Sequence, residues 1–139
     1  MTNFLSLNVR GIGNIEKRQK VFHWLKTQSC GFYFLQETHV NGKIKSKWEA
    51  EWGHLSYFSG NSSNSEGIGI LINKTISKDS IVGHHEIIPG RLQALEINFE
   101  NKYITLLNIY GPNADNAYIF VKLKQYLADN ADKYFYNSW

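Results

Sequence analysis

Three polar residues stand where apolar strand patterns end. They are Asn8 after FLSL, Glu37 after FYFLQ and Tyr110 after YITLLNI. A glutamate at the mouth of a buried strand is either a loop carboxylate or a hard oxygen ligand. In open α/β sheets, ligands gather where strands give way to loops. Magnesium suits such a place, because it takes one or two carboxylates and completes its shell with waters and phosphate oxygens. An amide beside the carboxylate can orient it or touch the substrate. A tyrosine hydroxyl can donate to a phosphate oxygen, or the ring can fill the core and leave its hydroxyl at the rim. Asn8 can equally cap a turn, so each residue taken singly carries a structural reading beside the chemical one.

The elements that must position these residues follow from periodicity. FLSLNV (4–9) alternates Leu5, Leu7 and Val9 against Phe4, Ser6 and Asn8, which predicts a strand with one strongly apolar face. RGIGN breaks it, Asn14 is placed to cap a helix, and Ile15, Val21, Phe22 and Leu25 predict that helix over about 15–28. FYFLQE (32–37) reads as a central strand. Strand, helix and strand in this order predict a parallel βαβ unit, which brings Asn8 and Glu37 to the same sheet edge. KIKSKWEAEWGH predicts a short helix with Trp48 and Trp52 on one face, and SGNSSNSEG (59–67) a polar loop. Four strand patterns follow without a helix between them, IGILINKTI, SIVGHHEII, LQALEINFE and YITLLNIY, and antiparallel pairing is expected. GPNAD breaks the chain, YIFVKLKQYLADN (118–130) predicts a last helix, and the aromatic tail KYFYNSW can begin a further strand.

Composition narrows the function classes. The 139 residues are 42% hydrophobic and 19% charged, which predicts a globular domain. The net charge of +3 is compatible with a nucleic-acid partner, but the fifteen Lys and Arg form no long basic run. Cys30 is the sole cysteine, which excludes an intrachain disulfide and a multi-cysteine zinc site and fits a reducing compartment. No signal-peptide pattern and no run of 18 apolar residues is present, so no membrane partner is expected. GIG at 11–13 lacks the third glycine of a dinucleotide fingerprint, because position 16 is Glu16. Trp24, Trp48 and Trp52 are expected in the core. His23, His54, His84 and His85 are expected at the surface or satisfied in the core, not on a metal.

The joint spelling says more. LNVRGI (7–12), FLQETH (34–39) and NIYGPN (108–113) occur in this order, with KRQKVFHWL (17–25), WGHLSYFSG (52–60) and SEGIGILINKTI (65–76) between them. The set resembles the endonuclease/exonuclease/phosphatase superfamily. It is most similar to the branch at the N-terminus of LINE-type (non-LTR) retrotransposon polyproteins, over about residues 3–128. The resemblance implies a four-layer αββα sandwich with a phosphodiesterase site between the sheets. It implies Mg2+, with Mn2+ as a substitute, held by Glu37 with help from Asn8, and Tyr110 as the active-site tyrosine. Arg91, Asn113 and His39 are implied on the substrate side. DNA is the implied partner, a nucleus the implied location, and a downstream reverse transcriptase the implied companion in a full-length product.

The resemblance also names what these 139 residues do not contain. No Asp-x-Asn pair and no Ser-Asp-His set occurs, so the match is to the first half of the domain. Gly31 stands where relatives usually carry an aspartate. The expected activity is that of the N-terminal half of a magnesium-dependent endonuclease that nicks a target site for retrotransposition, with cleavage near background for this piece alone. If the second sheet is missing, an apolar face is left bare. Two other readings stay open: a catalytically dead remnant or nucleic-acid-binding module, and an abasic-site repair nuclease of the same superfamily.

Overall fold

Alternation in FLSLN and FYFLQ produces two parallel strands, β1 (Phe4–Asn8) and β2 (Phe32–Gln36), registered with Asn8 opposite Gln36. Between them runs α1 (Ile15–Thr27), started by Asn14, whose side chain accepts a hydrogen bond from the Lys17 amide at 3.0 Å. The short helix α2 (Lys45–Trp52) stops at Gly53, whose φ of 83° closes a left-handed cap. These positions come from a computed structural model that describes residues 2–61, 66–111 and 116–131.

The remaining strands are β3 (Ser56–Ser59), β4 (Ile68–Ile72), β5 (Ile81–Ile88), β6 (Leu92–Phe99) and β7 (Lys102–Ile109), followed by α3 (Asn116–Asp129). They form two sheets. The first has four strands in the order β1-β2-β4-β3, and the second has three in the order β5-β6-β7. The β6–β7 hairpin turns through Glu100 and Asn101, both at positive φ (53° and 65°), as a two-residue turn of this twist requires.

The layers are helix, sheet, sheet, helix, which is the αββα sandwich. α1 and α2 cover the outer face of the four-stranded sheet, where Phe22, Leu25, Tyr33, Leu35, Trp48, Trp52, Phe58 and Leu71 are buried together. The two sheets meet through Phe32, Ile70, Ile72, Leu95 and Ile97. α3 places Ile119 and Leu123 on Ile87, Ile88 and Leu92, on the outer face of the three-stranded sheet.

Two expectations are corrected, the pairing of β4 and the place of Trp24, and one strand not expected, β3, is present. β3 lies inside WGHLSYFSG and has only four residues, too few to show a period. β4 does not pair with β5. It pairs antiparallel with β2 and β3, and the chain then crosses to the second sheet through a short 3-10 turn at Lys78–Ser80. Trp24 is 47% exposed on the outer side of α1, while Trp48 and Trp52 are each 2% exposed as expected. Both sheets are present, so no inner face lies wholly bare. Apolar exposure among the described residues includes Phe4 and Ile109 on the edge strands β1 and β7, and Phe120 and Val121 on α3. The tail pattern at 133–139 lies outside the described residues. No helix among them is long and apolar enough to cross a membrane.

Candidate active site

Five loops converge at one end of the sandwich, tied by backbone hydrogen bonds. Gly11 N–H donates to Glu37 O (2.6 Å), Ile12 N–H to Thr38 O (3.1 Å), Thr38 N–H to Gly67 O (2.9 Å) and His39 N–H to Glu66 O (2.8 Å). Gly67 N–H then crosses to Gly90 O (3.2 Å) on the second sheet, and Tyr110 N–H donates to Arg91 O (2.8 Å). Gly60, Gly67 and Gly90 make this crossing possible. A Cβ on Gly67 would lie 2.6 Å from Thr38 Oγ1, one on Gly60 would meet the Val40 carbonyl, and Gly90 holds a left-handed φ of 79°.

Within that frame Asn8 and Glu37 are brought together. Asn8 Nδ2 donates to Glu37 Oε2 at 2.5 Å, and Asn8 Oδ1 accepts from the Arg10 amide at 3.0 Å. The amide is thereby fixed in one orientation, with its NH2 toward the carboxylate. Glu37 is half-buried, and its backbone sits at φ 54°. Arg10 (51°) and His39 (64°) share this left-handed region. Apart from the two hairpin residues, these are all the non-glycine positive φ values among the described residues. Each costs about 1–3 kcal/mol and persists only where surrounding structure enforces it. The His39 ring lies over Gly11, where a Cβ would stand 2.5 Å from His39 Nδ1.

Tyr110 reaches the same end from the second sheet. Burial pushes its hydroxyl above the ordinary tyrosine range, and the Glu37 and Glu66 carboxylates push it further, against the opposing Arg91 guanidinium. The hydroxyl is therefore a protonated donor at neutral pH, within the field of Glu37. Arg91 follows the β5–β6 turn and is half-buried. Asn113 lies outside the described residues.

Glu66 was not singled out by its sequence context, yet it sits beside this cluster, with its Oε2 accepting from Asn61 Nδ2 at 2.8 Å. Its only signal was its place in SEGIGI, just before β4. The histidines gather no metal set: among the described residues no three His, Cys, Asp or Glu converge.

The fold is one shared by solved members of the endonuclease/exonuclease/phosphatase superfamily. TDP2 from Caenorhabditis elegans superposes with a TM-score of 0.59 at 20% identity, over 91% of this chain and 43% of that one. An AP endonuclease from Archaeoglobus fulgidus gives 0.58 at 20% identity, over 91% of this chain and 51% of the other. In sequence, the chain is 27% identical over 124 residues to an uncharacterized 149 kDa protein of transposon TX1 from Xenopus laevis. That match covers 88% of this chain and 9% of the transposon protein. The chain thus spans about half of the solved structures and a small part of its transposon relative. No family model matches.

Proposed function

We infer that this chain provides the metal- and phosphate-binding half of a magnesium-dependent DNA endonuclease of the retrotransposon type. The observation that supports it most is the convergence of Asn8 and Glu37 from one sheet with Tyr110 and Arg91 from the other. The donor set fits a hard divalent ion. Glu37 Oε2 is oriented by Asn8, and Oε1 has no hydrogen-bond partner among the described residues. One carboxylate with room for waters and phosphate oxygens is what Mg2+ accepts, and Mn2+ can replace it. When bound, the ion polarises a phosphoryl oxygen and offsets its growing charge. In this reading Glu37 holds the ion and Asn8 keeps the carboxylate aimed. Tyr110 donates to a phosphate oxygen, and Arg91, His39 and Asn113 lie on the DNA side.

The match to the transposon protein favours a target-site nuclease. The archaeal AP endonuclease keeps the abasic-site substrate in view. An inert remnant is the outcome if neither metal nor DNA binds. A downstream reverse transcriptase and a nuclear location belong to the same reading.

The test is binding and cleavage of an intact duplex, an abasic duplex and a supercoiled plasmid, with and without Mg2+. We expect duplex binding that Mg2+ strengthens and that Glu37→Gln weakens, with an intact duplex preferred or equal. Cleavage by these 139 residues should stay near background, because general acid–base groups contribute about 10²–10⁴-fold each and no Asp-x-Asn or Ser-Asp-His is present to supply them. DNA binding indifferent to both Mg2+ and Glu37 contradicts the reading. Strong nicking abolished by Glu37→Ala contradicts the background rate but not the site.

A further inference from the structure

Two residues of the motifs, Gln36 in FLQETH and Asn108 in NIYGPN, have no part in the site described above. Gln36 immediately precedes Glu37, and Asn108 stands two residues before Tyr110. The structure joins them across the sandwich, where Gln36 Nε2 donates to Asn108 Oδ1 at 3.0 Å. Asn108 is 1% exposed. Its Nδ2, with two N–H groups to give, lies within hydrogen-bonding distance of Leu35 O (3.1 Å), Gly69 O (2.9 Å) and Gln93 Oε1 (3.0 Å). The network extends in both directions. Gln36 Nε2 also donates to Ser6 Oγ (3.0 Å), and Gln93 Nε2 donates to Tyr57 O (3.0 Å) and contacts His84 Nε2 at 2.8 Å. Ser6, Gln36, Tyr57, Gly69, His84, Gln93 and Asn108 belong to β1 through β7 in turn, so each described strand contributes one member.

We propose that Gln36 and Asn108 are positioning residues, a buried amide clamp that sets Tyr110 on one sheet against Glu37 on the other. The proposal rests on the nuclease reading for its purpose and on the hydrogen bonds for its existence.

The geometry of attachment is direct. Asn108 is fastened to the Leu35 carbonyl, two residues before Glu37. The ladder of β7 runs on through Tyr110 N–H to Arg91 O, so the two-residue strand period carries Tyr110 to the same face as Asn108. The clamp therefore fixes each sheet within two residues of its site residue. Apolar packing alone does not do this. Ile70, Ile72, Leu95 and Ile97 attract without direction, so their burial favours contact between the sheets more than it selects one register. An amide network is directional and holds only where its partners stay within hydrogen-bonding distance. A shifted sheet leaves buried carbonyls and amides unpaired at about 1–3 kcal/mol each. Because five loops meet at the site end, a shift of the sheets would be felt there first.

Backbone amide exchange, read residue by residue, tests the clamp without metal, DNA or turnover. The variants are Asn108→Leu, Gln36→Met and, as a control of comparable destabilisation, Ile119→Ala under α3. For Asn108→Leu we expect exchange of the Tyr110, Gly67 and Gly11 amides to rise about tenfold beyond the change in α1. Gln36→Met should do the same at the same amides to a smaller extent, and Ile119→Ala should not. If exchange rises evenly in both clamp variants, tracking global stability as in the control, the clamp is only structural and the proposal is overturned. Should Asn108→Leu not fold, Gln36→Met alone decides, and the absence of local change there overturns the proposal. Glu37→Gln should leave exchange at Tyr110 unaltered, so failure of the nuclease reading and failure of the clamp give different results.

Discussion

The two faces of the four-stranded sheet are packed by different chemistry. On the outer face, rings meet edge to face. Phe22 and Trp52 lie 5.5 Å apart at 82°, Trp48 and Phe58 5.6 Å apart at 87°, and Trp52 Nε1 donates to Ile72 O at 2.9 Å. On the inner face, Phe32, edge to face on Phe99, and aliphatic side chains surround a chain of amides that crosses to the second sheet. The outer cluster buries five rings, Phe22, Tyr33, Trp48, Trp52 and Phe58, where the inner one fully buries Phe32, so the larger aromatic contribution to stability is expected there. The inner face spends part of its volume on polar groups that gain little net energy but allow only one register. Stability and site geometry are thus supported from opposite sides of one sheet.

The largest expected effect separates the two faces by energy. Trp52→Ala removes a ring buried to 2% exposure and should cost about 3–5 kcal/mol in chemical denaturation. The native fraction should keep its site amides in place. A Trp52→Ala variant that loses only a few tenths of that, or that shifts the amides of 37–39 and Tyr110, would erase the distinction.

Next comes Arg18, which anchors α1 beneath the aromatic layer. Its Nε and Nη2 meet Glu51 at 2.6 and 3.1 Å, and its Nη1 donates to Ile12 O and Gly13 O at 3.0 Å each. Arg18→Met should cost about 2 kcal/mol at neutral pH. The Arg18 hydrogen bond, with its charge, holds the Glu51 carboxyl below its ordinary value of 4.5. That stabilisation is complete above pH 4.5 and is lost as pH falls through the lower folded value. The cost of Arg18→Met should therefore shrink in acid.

The inner face has its own pH signature. Burial lowers His84 from 6.5 to about 4, with Glu86 opposing and His85 and Lys45 adding to the fall. Below pH 6.5 the unfolded chain takes up a proton that the folded one refuses, so stability drops as pH goes from 6.5 to about 4 and then levels off. With solvent reaching part of the ring, the loss should be about 1 kcal/mol. His84→Phe, which keeps a ring against Tyr57, should flatten this slope in a pH series of denaturation curves.

Much of this was legible in the sequence, and what was not has physical causes. Strand and helix periods mark α1, β1, β2 and β5 to β7 nearly to the residue, because each has an apolar face long enough to show a period, while α2 is marked only by Trp48 and Trp52 one turn apart. β3, with four residues, is not marked. The bond between Asn8 and Glu37 followed from a parallel pair ending on one edge. The part played by Gln36 and Asn108 does not follow from the sequence, although they lie in FLQETH and NIYGPN. Their hydrogen bond joins residues 72 apart in the chain, and nothing local marks an amide that is satisfied only by another sheet. Glu66 was hidden for the same reason, since it enters the site through the Gly67–Gly90 crossing.

The smallest expected effect on stability belongs to Glu37, the residue to which the proposed function gives most weight. Glu37→Gln keeps the shape of a half-buried side chain at a strained φ and should change stability by no more than about 0.5 kcal/mol. Its effect should appear instead in a titration of the chain with MgCl2 followed by amide NMR. The account predicts saturable shifts confined to residues 8–11, 37–39 and Tyr110 in the wild type, and none there in Glu37→Gln. Shifts that persist in Glu37→Gln, or that never appear at these residues at millimolar Mg2+, would contradict it.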